Sequence, residues 1–246
     1  MNTQINNSKL QGKRVIIMGG TSGIGLATAQ AAAGEGAHVV IVSSNQQRVN
    51  DALATLPDTA KGHAVDLSNE HNIKTFFHGI GNFDHLVYTA GENLSLTYLN
   101  DMDLEKAHDF FTLRYWGALA SLKYGAPHIN QGGSISLMGG TAGARPGAGW
   151  VLGASTCAAI EGVTRAMAVE LAPIRVNAVA AGVIKTNLWN NLSEAEREGM
   201  YKYYGETLPV KRVGEAEDVA LAFTYLMQQQ FGTGQIITVD GGTVLV

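Results

Sequence analysis

The feature that most constrains this chain is the alternation of short apolar runs with stretches of helical periodicity. The runs are KRVIIM (13–18), HVVIVS (38–43), GHAV (62–65), DHLVYT (84–89), SISLM (134–138), RVNAVA (175–180) and QIITV (235–239). They are rich in β-branched residues and apolar at successive positions, as strands are when both faces of a sheet are covered. Helices are predicted between them over 23–34, 46–55, 69–79, about 102–127, about 152–171 and 216–228. Gly36 and Pro127 fall where helix ends are expected. Parallel neighbours require crossovers, so the alternation predicts an α/β fold: a doubly wound, seven-stranded, mostly parallel sheet with helices on both faces.

Residues 1–246 show no repeat, linker or low-complexity tract and are expected to form a single domain. The segment 183–214 breaks the alternation. It is polar, carries tyrosines at 201, 203 and 204, and reads as a helical lid over the carboxyl ends of the strands. A hydrophobic content of 46% excludes a disordered chain, and a charged content of only 15% leaves surface to be buried between subunits. The net charge of −4, with no basic run longer than two residues, argues against nucleic acid as a partner. Cys157 is the only cysteine, which excludes an internal disulfide and a cysteine metal cluster. The seven histidines show no ligand spacing, so no metal is expected. The start MNTQINNSKLQGK lacks the apolar core of a signal peptide, and no apolar run reaches membrane-spanning length. A cytoplasmic protein acting on a small molecule is the expectation.

VIIMGGTSGIGLATAQ places Gly19, Gly23 and Gly25 between the first strand and the first helix. Glycines there let the backbone approach a pyrophosphate, which meets the helix N-terminus. The spacing Gly19-x-x-x-Gly23-x-Gly25, Asp66 in AVDLS, Ala90-Gly91, IRVNAVAAG (174–182), Thr186 and VDGG (239–242) follow in an order that resembles the short-chain dehydrogenase/reductase family over nearly the whole chain. The resemblance implies a Rossmann-type domain and a homodimer or homotetramer. It also implies a cofactor site made of Gly19, Thr21, Ser22, Gly23, Ile24, Gly25, Asp66, Leu67, Ala90, Gly91, Gly182, Val183, Ile184 and Thr186. The second strand ends on Ser43, followed by Ser44 and Asn45, with Arg48 one turn on, where an acid would select NAD. Neutral hydrogen-bonding groups and a cation suit the 2′-phosphate of NADP(H); the same residues also read as an ordinary helix cap.

Members of the family usually act through Asn, Ser, Tyr and Lys. Aligned on EGVTRAMAVEL (161–171), the Tyr and Lys positions fall on Gly153 and Cys157, the Ser on Gly140 and the Asn on Arg114. A shift of one residue either way still supplies no acid or base. The Asn-Asn that the family carries before Ala-Gly is Tyr88-Thr89 here. The usual proton donor is therefore missing, and a fold match does not carry an activity match with it.

Near the reacting end the sequence leaves Glu92, Tyr115, Thr141, Arg145 and the three lid tyrosines, with Arg114 and Trp150 as the candidate catalytic residues. Arg114 is placed either to bind a substrate oxygen or to hold backbone carbonyls. Trp150 reads as a flat wall for an aromatic substrate or as core packing. Reduction of an iminium ion needs no proton, and tetrad-free members of the family, including fungal enzymes of indole-alkaloid pathways, work in that way. The chain is accordingly expected to be an NADPH-dependent reductase of an imine, iminium or other activated acceptor in biosynthesis. The alternatives are a non-catalytic NADP(H)-binding sensor or scaffold and a non-redox cyclase using the same pocket.

Overall fold

Side chains alternate across a strand, so a strand that is apolar at every position must serve two cores. Here Ile16, Met18, Leu86, Tyr88 and Ile135 point to one face and are buried with Phe77, Leu122 and Ile160. Their neighbours Val15, Ile17, Val87 and Val179 point to the other face and pack with Ala29, Phe223 and Leu226. The computed structural model describes residues 8–94 and 96–246.

The strands are β1 (Arg14–Met18), β2 (His38–Ser43), β3 (Lys61–Ala64), β4 (Phe83–Tyr88), β5 (Ile129–Gly140), β6 (Arg175–Ala181) and β7 (Ile236–Val239). They form one sheet in the order β3-β2-β1-β4-β5-β6-β7, with every pairing parallel. The helices are α1 (Gly23–Gly34), α2 (Gln46–Leu53), α3 (Glu70–Ile80), α4 (Leu104–Phe111), α5 (Ala118–Gly125), α6 (Val151–Glu170), α7 (Glu194–Thr207) and α8 (Ala216–Gln228). The chain reverses its direction of winding between β1 and β4, which opens a crevice at their carboxyl ends.

Two elements differ from the sequence reading. The helix predicted over about 102–127 is not continuous: α4 and α5 are joined by a π-helical turn, Thr112–Gly117. Hydrophobic periodicity persists through such a widened turn, so a sequence pattern does not register it. Strand β5 is also longer than SISLM, because β4 and β6 both offer it backbone partners beyond the apolar core of that run.

The excursion 183–214 begins and ends at one place. Ile184 and Gly214 form an isolated parallel bridge. Lys185 N donates to the Gly214 carbonyl at 2.9 Å, and Gly214 N to the Val183 carbonyl at 3.2 Å. Between them lie a short 3-10 turn, Asn187–Trp189, and α7. Among the described residues no helix is long and apolar enough to cross a membrane.

Candidate functional site

A cavity of about 920 Å³ runs along the carboxyl ends of the strands, from Ser43, Ser44 and Arg48 at one end to Trp150, Tyr203 and Tyr204 at the other. Its first wall is the β1–α1 turn. Gly19 sits at φ +90°, and a Cβ there would lie 2.6 Å from the Ala90 nitrogen, so both its conformation and its crowding require glycine. Thr21, Ser22, Gly23, Ile24 and Gly25 line the same wall. Ser22 precedes α1 in an extended conformation and makes no side-chain cap, and the first turn of α1 carries no acid. The helix therefore turns uncapped N–H groups and its positive end toward the cavity, the arrangement that receives a phosphate.

At the far end of this wall Arg48 Nη2 donates to Ser44 Oγ at 3.1 Å, setting a cation beside two hydroxyls. Asn45 does not join them. Its Oδ1 accepts from the Arg48 backbone at 2.9 Å and caps α2, and the residue lies outside the cavity lining. The cap uses Oδ1 alone and leaves the Asn45 Nδ2 donor uncommitted. Asp66 and Leu67 line the next stretch. Hydrogen bonds from the Ser68 hydroxyl and backbone hold the Asp66 carboxyl below its ordinary pKa. Ala90, Gly91, Gly182, Val183, Ile184 and Thr186 complete the floor. This donor set suits a dinucleotide with an extra phosphate near Ser43, Ser44 and Arg48.

The other end of the cavity is chemically sparse. Gly140, Gly153 and Cys157 converge on it. A Cβ on Gly140 would meet Cys157 Sγ at 3.1 Å, and one on Gly153 would meet Leu94 Cδ1 at 3.5 Å. Burial pushes the Cys157 thiol up, against the pull of Arg114, so it stays protonated at neutral pH. Burial also raises the carboxyl of Glu92, with Arg114 opposing it.

Arg114 rides on the π-turn and lines the cavity with its guanidinium only partly engaged, since Nε is buried without a hydrogen-bond partner among the described residues. Nη2 donates to the Glu92 carbonyl, Nε lies 3.5 Å from Glu92 Oε2, and the cation sits 5.2 Å from the centre of the Phe110 ring. Its contact to the Glu92 carbonyl matches the backbone-holding role, and its place in the cavity lining is compatible with the substrate-binding one. Trp150 stands at the start of α6, its ring 6.3 Å from that of Trp189. Leu94, Leu188 and Tyr204 pack into the same aromatic group. Arg145, Thr141 and Tyr203 also line the cavity. Tyr115 and Tyr201 do not: Tyr115 packs against the core beside α5, and Tyr201 faces a separate surface depression with Lys185 and Glu215.

Leu94, Leu188 and Trp189 were not singled out from the sequence. Leu94 lies on a loop and Leu188 and Trp189 on a single 3-10 turn, too short for a periodic pattern, and only their pairing across the fold reveals them. Leu94 N donates to the Leu188 carbonyl at 3.1 Å, and Thr97 N to the Gly149 carbonyl at 3.0 Å. The β4–α4 loop is thus tied both to the 183–214 excursion and to the approach to Trp150.

A family model described as Enoyl-(Acyl carrier protein) reductase matches residues 19–244. The short-chain dehydrogenase/reductase fsr5 of Gibberella fujikuroi is 31% identical over 256 residues, with 97% of each chain covered. A small-chain dehydrogenase solved in complex with NADPH superposes with a TM-score of 0.84 at 34% identity, covering 96% of this chain and 100% of that one. The MalC reductase/Diels-Alderase of Malbranchea aurantiaca superposes with a TM-score of 0.90 at 28% identity, covering 98% of this chain and 100% of its own. These matches run almost end to end and agree with the strand order, and the chain belongs to the short-chain dehydrogenase/reductase family of oxidoreductases.

Proposed function

We propose that the chain is an NADPH-dependent reductase of a cationic C=N acceptor, an iminium ion or a similarly activated group, working without a positioned proton donor. The observation that carries this reading is the sparse reacting end of the cavity, where Gly140 and Gly153 have no side chain and burial holds the Cys157 thiol against giving up its proton. The N-terminus of α1 would hold the pyrophosphate, with Ser43, Ser44 and Arg48 around the 2′-phosphate. When bound, NADPH supplies a hydride. A neutral ketone that accepts a hydride becomes an alkoxide and needs a proton or a cation at once. An iminium carbon that accepts one passes the C=N electron pair to nitrogen, giving a neutral amine with no proton transferred. Trp150 and its aromatic neighbours supply a flat apolar wall for the acceptor, and Arg114 shapes the opposite side by holding Glu92. The 183–214 excursion acts as a lid that excludes water.

The likeness to a protein named both reductase and Diels-Alderase favours a second reading, in which the same walls guide a cyclisation by shape. The test is NADPH oxidation against ketones, imines and cyclic iminium ions, with the wild type and Glu92→Gln. Iminium turnover is expected to exceed ketone turnover by about 10²-fold or more, the scale of positioned acid catalysis, and to survive Glu92→Gln. Ketone turnover that vanishes in Glu92→Gln would identify a proton donor and overturn the reading. NADPH binding with no oxidation across the panel would move the chain to a non-redox role.

A further inference from the structure

The π-turn that carries Arg114 has a specific hydroxyl beneath it. Tyr88, the last residue of β4, is 2% exposed, and its Oη donates to the Leu113 carbonyl at 2.6 Å. In a π-turn the carbonyls move out of line with the N–H groups four residues on, so a side-chain donor to one of them bears on whether the turn is held. Gly117 closes the turn and keeps the space for that hydroxyl: a Cβ there would lie 2.5 Å from Tyr88 Oη and 2.6 Å from the Leu67 carbonyl. The turn in turn aims Arg114 at the β4–α4 loop, where a Cβ on Gly91 would lie 2.7 Å from Arg114 Nη1. The neighbouring Glu92 accepts from Arg114 through its backbone carbonyl, and Leu94 farther along is bonded to Leu188. A continuous set of contacts therefore links Tyr88 through the turn and Arg114 to the wall of the substrate end.

We propose that Tyr88 is a positioning residue: by donating to the Leu113 carbonyl it holds the π-turn Thr112–Gly117, which delivers Arg114 to Gly91 and Glu92 and fixes that wall of the cavity. Its effect on turnover rests on the reductase reading above; its effect on the backbone does not.

The experiment compares hydrogen exchange in the wild type, Tyr88→Phe, Arg114→Ala and Val87→Ala. Val87 lies next to Tyr88 on β4 but packs into the opposite core, so it reports general destabilisation. Tyr88→Phe keeps the ring and loses the donor. It is expected to speed exchange about tenfold at residues 112–118 and 91–94 beyond any change elsewhere. Arg114→Ala is expected to loosen 91–94 alone. With a cyclic iminium ion as probe, Tyr88→Phe should lower kcat about tenfold while leaving the NADPH Kd unchanged. Wild-type exchange rates in both segments of Tyr88→Phe, or the same uniform rise as in Val87→Ala, would overturn the proposal. Loosening of 112–118 without 91–94 would overturn the link to the wall. If the wild type turns over no iminium ion, the reductase reading fails while the exchange arm still decides the role of Tyr88.

Discussion

Single side chains carry two tests of this structure. Arg48 is exposed and bonded to Ser44 at the end of the cavity where no acid stands. NADPH is expected to bind at least about tenfold more tightly than NADH, a difference of about 1.4 kcal/mol. Arg48→Ala should remove most of that preference and leave NADH affinity unchanged, as titration of both cofactors by calorimetry will show. The second test is His85, buried at 4% exposure with Nδ1 2.9 Å from Ser134 Oγ. Burial drags its pKa from 6.5 to about 4, with Asp84 pulling the other way and Arg175 and Lys13 adding to the depression. The unfolded chain takes up this proton as pH falls through 6.5, the folded chain only near 4, so folding stability declines across that window. At one pKa unit per about 1.4 kcal/mol, the loss between pH 7 and pH 5 is about 2 kcal/mol. His63 is also lowered, by burial first, and adds a loss of the same sign. His85→Gln should therefore flatten part of the decline in urea unfolding measured at pH 7 and pH 5, and an unchanged slope would contradict the burial assigned to His85.

Among the elements, α7 is the one whose stability leans most on its ends. None of its residues is buried. Its start is a capping box: Glu196 N donates to Ser193 Oγ, and Ser193 N donates to Glu196 Oε2 at 2.9 Å. Losing such a cap costs about 1 kcal/mol, so Ser193→Ala should speed hydrogen exchange over 194–207 roughly fivefold, with the sheet unaffected. Because Tyr203 and Tyr204 line the cavity from α7, the same variant should raise the KM for the acceptor more than that for NADPH. Equal exchange in the two proteins would show that packing, not the cap, holds the helix. The π-turn marks the other lesson at this scale. TLRYWG reads as ordinary helix, and only the tertiary structure shows the Tyr88 hydroxyl bonded beneath it and the space that Gly117 leaves for that hydroxyl.

For the whole molecule, the expected state is a homodimer or homotetramer. Trp116 is 54% exposed, Val169 81% exposed and Phe231 fully exposed, apolar surface that a second copy would cover. Light scattering at micromolar concentration tests this, and a monomer mass would refute it. The sheet, its parallel pairing and the glycine turn at the first strand–helix junction were determined by sequence alone, because periodicity and such a turn act over a few residues. The absence of an acid at Gly140, Gly153 and Cys157 was equally legible, since it depends only on residue identity. The tertiary structure decided which polar groups remain available. Asn45 Oδ1 caps α2 and Arg114 Nη2 reaches the Glu92 carbonyl, while Tyr115 and Tyr201 stand outside the cavity lining. It also decided the apolar end of the cavity, where Leu94, Trp150 and Trp189 meet from three separate stretches of chain. Those residues share no local pattern, and only the packing of loops above the sheet brings them together.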